Sequence, residues 1–204
     1  MPLLTIILML GYPILIHLSI HFQAIDMAVY VLSFYCVLPL LIPAMRNRLG
    51  GMNILLLCLL SMSVLLVGFY LPEKIVVLPP ILIFATMAYT FGNTLRSGSV
   101  PLITRIALVI RGELPDYVRV YTRKATLAWV IFFLAMMLIN LVLALFASLE
   151  TWSYFANFIA WGLTGLMFLG EYLVRRYSMP NHVDYSFVEF LRNLARVDYR
   201  HVFK

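Results

Sequence analysis

A carboxylate and a guanidinium one helical turn apart, Glu171 and Arg175, are the side chains of this sequence best placed to do chemistry. They stand in Gly170-Glu171-Tyr172-Leu173-Val174-Arg175-Arg176, at the end of a long apolar run. Ionisable residues inside such runs are rare and are functional candidates for that reason. Two readings are open. In one, the acid-first i,i+4 spacing closes an ion pair that stabilises a helix end at the membrane interface. In the other, Glu171 faces the interior of a bundle and acts on a headgroup or a proton.

Cations crowd the segment upstream: Arg96, Arg105, Arg111, Arg119, Arg123 and Lys124, with Glu113 among them, and Arg175 and Arg176 follow Glu171. Guanidinium forks match phosphate oxygens. Because apolar residues are interleaved, the set suits a ligand that is both anionic and lipidic. A phospholipid headgroup, a lipid phosphate, or an acidic carrier protein with an acyl chain on a phosphopantetheine arm would qualify. The same charges would also serve simply to set topology and touch anionic lipid.

His17 and His21 share one helix face, with Asp26 close behind. Two imidazoles fall short of a catalytic metal set, so no metal and no cofactor is assigned and the pair reads as polar interfacial residues. Asn140 and Asn157 lie inside apolar runs; a hydrogen bond between their helices would contribute roughly 0.6–2 kcal/mol. Cys36 and Cys58 are isolated thiols in apolar surroundings. The chain has no HExxH, GxSxG, phosphate-binding loop or paired-aspartate motif, which leans against an enzyme and leaves Glu171 as the one catalytic candidate.

The elements that must position these residues are membrane helices. Of 204 residues 63% are hydrophobic and 12% charged, with a mean hydropathy of +0.96. A soluble domain is about half apolar and a quarter charged, so the excess must face lipid. Six runs are long enough to cross a hydrocarbon core of about 30 Å as helices: residues 3–21, 27–44, 53–71, 75–91, 127–148 and 152–174. The first reads as a membrane helix rather than a signal peptide, since it lacks a basic start and a small-residue cleavage site. Pro79-Pro80 interrupts the fourth. The fold class is therefore all-α, one polytopic bundle over 1–204, with a loop at 92–126 and a tail at 175–204.

Fourteen of the fifteen Lys and Arg residues fall in the 45–52, 92–126 and 175–204 segments, and only Lys74 falls in the alternate ones. The positive-inside rule then puts both termini in the cytoplasm. Trp152 and Tyr154 outside, and Trp129 and Tyr172 towards the inside, fit interfacial anchors. The net charge of +6 does not indicate nucleic acid, because the charges sit in short segments between apolar runs.

Within 92–126, Ser99 and Pro101 mark a helix start. Leu102, Ile103, Ile106, Ala107 and Ile110 recur at helical spacing, Arg105 and Arg111 lie off that stripe, and Gly112 ends the helix. This describes an amphipathic helix on the inner leaflet. A second helix from about Asp116 feeds the fifth span, with Arg119 and Arg123 on one face. In the tail, Ser186 and Glu189 form a capping-box pattern ahead of an apolar stripe at Phe187, Phe190, Leu191, Leu194 and Val197, with Arg192, Arg196 and Arg200 elsewhere.

Phe91-Gly92-Asn93-Thr94-Leu95-Arg96-Ser97-Gly98, Pro101-Leu102-Ile103-Thr104-Arg105, Arg111-Gly112-Glu113-Leu114-Pro115, Tyr121-Thr122-Arg123, Trp129 and Gly170-Glu171-Tyr172 with Arg175-Arg176 together resemble an uncharacterised family of bacterial membrane proteins. That family accompanies gene clusters for aryl-polyene and xanthomonadin-type pigments. The likeness spans roughly residues 84–190; Asn93 stands where many members carry a basic residue. It implies a Gram-negative inner membrane and a link to aryl-polyene-type lipid assembly, and it supplies no mechanism. The first functional expectation is a non-catalytic inner-membrane component that docks acyl carrier protein or lipid-linked intermediates at its basic cytoplasmic face. An acyl or headgroup transferase using Glu171 comes second, beside a small lipid transporter or flippase subunit that would need to form a homo-oligomer.

Overall fold

The computed structural model describes residues 2–45, 51–178 and 192. Among the described residues every regular element is helical: α1 Pro2–His21, α2 Ile25–Met45, α3 Gly51–Tyr70, α4 Pro72–Asn93, α5 Leu102–Arg111, α6 Asp116–Phe146, α7 Leu149–Tyr154 and α8 Ala160–Ser178. A π-helical turn, Phe155–Ile159, joins α7 to α8 without a break. Three stretches, Pro72–Asn93, Asp116–Phe146 and Leu149–Ser178, are long and apolar enough to cross a membrane. Large apolar side chains stand exposed along all three, among them Leu82, Ile131, Leu138 and Leu166. The Arg46 and Arg48 loop, and the tail capping box with its apolar stripe, lie outside the described residues.

The boundaries explain themselves locally. Pro79 and Pro80 do not interrupt α4, which runs through both; each removes one backbone donor, a loss that membrane helices tolerate when packed. The turn between α6 and α7 is shorter than the spacing of residues 149–151 suggests, because Ser148 caps α7 and its hydroxyl accepts the Thr151 N–H at 3.2 Å. That makes Leu149 the first residue of the helix. At the end of α5, Gly112 adopts φ +76° and donates its N–H to Leu108 O at 2.7 Å, a left-handed position that suits glycine.

The chain forms two compact units, residues 1–82 with 139–161, and residues 83–138 with 162–204. In the first, Ile16 and Ile20 of α1, Ala28, Val29 and Leu32 of α2, Val76 of α4, Trp152 and Ala156 make the buried core. Gly68 of α3 lies against Val29, where a Cβ would collide with the valine side chain. In the second, Ala88, Trp129 and Phe133 are buried with Phe84, Phe91, Phe132 and Phe168 around them. The Trp129 ring centroid is 4.6 Å from that of Phe168 and 5.3 Å from that of Phe133, within the range of favourable aromatic pairs.

The aromatic anchors need correction. Trp152, Trp129 and Tyr172 are buried at 1%, 4% and 4% exposure. They pack protein rather than headgroups, and only Tyr154 of the four is exposed. An aromatic near the end of a span belongs to the interface only if its helix face is turned outward, and face orientation is a tertiary property.

Candidate functional site

The candidate site belongs to the second unit and grows from four threonines. Thr94, just past the end of α4, accepts the Leu102 N–H at 2.9 Å and donates to Phe91 O at 2.7 Å. Thr126 of α6 accepts the Ile103 N–H at 3.3 Å. Thr104 and Thr122 share a buried hydroxyl contact of 2.7 Å. The first orphan donors of α5 are thus satisfied by side chains rather than by Ser99, which does not cap the helix; Pro101 occupies the cap position with no side-chain bond. The buried face of α5 differs from the expected stripe accordingly. Leu102 and Thr104 are buried, Ile103, Ile106 and Ala107 are partly covered, and Ile110 is exposed. Ala107 and Leu108 instead pack towards Leu114 and Val118.

On this scaffold the arginines act as staples. Arg123 donates from Nη2 to Leu95 O at 3.0 Å. Arg105 donates from Nε to Val100 O at 2.9 Å. Arg119 donates from Nε to Leu114 O at 3.2 Å. Each guanidinium therefore fixes a connecting segment while presenting charge: Arg119 and Arg123 are exposed, Arg105 is half-buried. Arg96, Lys124, Arg176 and Glu113 are exposed as well. Arg111 closes α5, and its side chain lies outside the described residues.

Glu171 sits away from solvent, with 7% of its side chain exposed against 16% for Arg175. Its Oε2 accepts from Arg175 Nη2 at 3.0 Å. Tyr121 of α6 donates its hydroxyl to Glu171 O at 3.1 Å and approaches Oε1 at 3.4 Å. The i,i+4 pair forms as expected, but it is buried beside a phenol rather than spread on an interface. One carboxylate oxygen is held by a guanidinium and the other faces Tyr121, so the arrangement is a fixed polar rung between α6 and α8.

The first unit contains a second polar group that the sequence reading assembled only in part. His21 Nδ1 lies 2.6 Å from Glu150 Oε1, with both side chains more than half exposed. His17 Nδ1 lies 3.2 Å from Ser153 Oγ, and the two imidazoles stack with centroids 6.3 Å apart. Asn157 donates its amide to Ser153 O at 2.9 Å and to Ser153 Oγ at 3.0 Å. Asn140 itself is fully buried. The partners Glu150 and Ser153 were missed, although Glu150, Ser153 and Asn157 recur at spacings of three and four, a helical stripe matching that of His17 and His21. The sequence also carries a His-x4-Asp spacing at His21 and Asp26, an acyltransferase-like pattern. The fold pairs His21 with Glu150 and leaves Asp26 exposed in the first turn of α2. Among the described residues no three His, Cys, Asp or Glu side chains converge as metal ligands.

No protein-family model matches the chain, and no curated protein or solved structure matches it.

Proposed function

We propose that this chain is a multi-pass inner-membrane accessory protein whose basic face docks an acidic acyl carrier protein or a lipid-linked intermediate. In this reading six helices span the bilayer and both termini are cytoplasmic. Helices α1, α2 and α3 are 20, 21 and 20 residues long, about 30 Å each at 1.5 Å per residue, and join the three other candidate spans. The distribution of Lys and Arg orients them. The family resemblance adds the context, an aryl-polyene-type lipid or pigment assembly in a Gram-negative bacterium.

One contrast carries the choice between docking and chemistry. The sole catalytic candidate, Glu171, is tied to Arg175 and Tyr121 in a buried rung, whereas Arg96, Arg119, Arg123, Lys124 and Arg176 are exposed. A general base must reach the proton it removes; a docking face needs only exposed charge of the right sign. The test is binding of purified acyl carrier protein to the full chain in nanodiscs as a function of salt. Affinity falls as the screening length shrinks from about 10 Å at 0.1 M to about 3 Å at 1 M salt, and Arg96→Glu with Lys124→Glu weakens it further. These two residues are preferred over Arg105 and Arg123, whose reversal would also release the stapled connections. Salt-independent binding, or none, would overturn the docking reading.

A further inference from the structure

The connection from α4 to α5 is built more deliberately than a link between two helices requires. Ser99 N–H closes a turn on Arg96 O at 3.1 Å. Gly98 stands third in that turn with φ +83°, the position at which a type II turn needs φ above zero. A Cβ there would meet nothing within 4 Å, so it is backbone conformation and not space that suits glycine. The two legs of the turn are then clamped from outside: Arg123 holds Leu95 O on one side and Arg105 holds Val100 O on the other. Arg96 belongs to the turn itself and is exposed, as are Ser97 and Gly98. Two guanidinium groups thus hold the legs of a turn that itself carries Arg96, Ser97 and Ser99.

The usual anion acceptor in such a place, the start of the following helix, is already filled. Leu102 and Ile103 give their N–H groups to Thr94 and Thr126. What remains for an anion is the turn, with the exposed Arg96 on it and the exposed Arg123 beside it. The turn begins three residues after Asn93, the end of a helix long and apolar enough to span a membrane, which sets it at headgroup depth. Val100, 42% exposed, adjoins it with an apolar surface.

We propose that the Arg96–Ser99 turn, with Arg123 beside it, is a subsite for the phosphomonoester headgroup of a membrane lipid, while Arg105 serves to hold the far leg of the turn. A phosphomonoester offers more charge and more acceptor oxygens than a diester, and the exposed guanidinium groups of Arg96 and Arg123 suit it. This inference rests on the basic face being a docking surface and names the group that one part of it takes.

The experiment is calorimetric titration of the full chain in neutral detergent with dioctanoyl phosphatidic acid, dioctanoyl phosphatidylglycerol and inorganic phosphate. Phosphatidic acid should bind about tenfold more tightly than either of the others, the worth of one further charge-assisted hydrogen bond. Gly98→Val, which disturbs the turn without changing charge, and Arg123→Lys, which keeps charge but cannot both hold Leu95 O and present a fork, should each weaken phosphatidic acid by about fivefold or more, the loss of part of that contact. Arg123→Lys should leave thermal unfolding nearly unchanged, whereas Gly98→Val, which places a β-branched residue at φ +83°, should lower it by a few degrees while the chain stays folded at the titration temperature. Equal binding of the two lipids, or wild-type affinity in Gly98→Val, would reduce the site to diffuse charge and overturn the proposal. Inorganic phosphate binding as tightly as phosphatidic acid would overturn the lipid assignment. Carrier-protein docking measured on the same variants separates the two ideas: its survival beside a failed lipid titration sinks the turn alone, and its absence in the wild type sinks the broader reading.

Discussion

Replacing Glu171 by Leu should destabilise the protein, and replacing Arg175 as well should restore most of what was lost. Exposed i,i+4 ion pairs contribute about 0.3–0.5 kcal/mol, whereas removing one partner of a buried pair costs about 3–5 kcal/mol because the other charge is left uncompensated. Side-chain exposures of 7% and 16% put this pair near the buried limit. Polar groups of a membrane protein also find partners when it unfolds in lipid or detergent, which lowers the measured worth of such contacts. The expected cost of Glu171→Leu is therefore about 2–3 kcal/mol, at or below the lower end of that buried range. Arg175→Leu should cost a similar amount by leaving the carboxylate beside Tyr121. The double variant, an apolar pair of comparable volume, should lie within about 1 kcal/mol of wild type, since buried pairs are often replaceable without loss. Reversible unfolding in mixed micelles, followed by tryptophan fluorescence, gives all four corners of the cycle. If both single variants stay within about 0.5 kcal/mol of wild type, the pair behaves as exposed and the reasoning from burial fails. Glu171→Gln is the functional companion, because its amide oxygen can still accept from Arg175. Under the proposed function it should preserve the product of the proposed assembly in a complemented deletion strain at equal protein level, and loss of that product would move the weight to catalysis.

Thr126→Val removes the acceptor for the Ile103 N–H at a fully buried site; a cost of about 1–3 kcal/mol is expected, with faster amide exchange at the start of α5. Gly68→Ala drives a methyl into Val29, and since small residues let membrane helices approach closely, it should lower thermal stability while Val29→Ala in the same chain relieves the loss. Ser153→Ala, which strips a buried hydroxyl from both His17 and Asn157, should cost about 1–2 kcal/mol. His21→Ala should cost less than about 1 kcal/mol because its partner Glu150 is exposed; the reverse ranking in a melting series would refute the burial argument. Reporter fusions after residues 72–74 should signal the outer side and fusions within 92–126 the inner side; any other pattern removes the six-span topology.

Much of the architecture was legible in the chain because membrane helices are specified by local properties. Twenty apolar residues in a row, a proline or glycine at an end, and a step in charge are all readable without knowing any neighbour. The helices at 102–111 and from 116, and the stop at Gly112, follow from that kind of information, and so does the ion pair at Glu171 and Arg175, whose partners lie one turn apart. The arginines could be counted and placed on segments, but their bonds to Leu95, Val100 and Leu114 carbonyls could not, since a carbonyl has no signature in sequence. Which face of a helix is turned inward was equally hidden. Trp129, Trp152 and Tyr172 have the residue types and depths of interfacial anchors and are core instead, and Thr104 lies off the apolar stripe yet is buried against Thr122. The pairing of His21 with Glu150 and of His17 with Ser153 joins positions more than a hundred residues apart, and only the packing of α1 against α7 brings them together. Length, hydropathy and charge act along the chain and were decided by the sequence alone; orientation and partnership depend on what stands opposite, and were decided only when the helices packed.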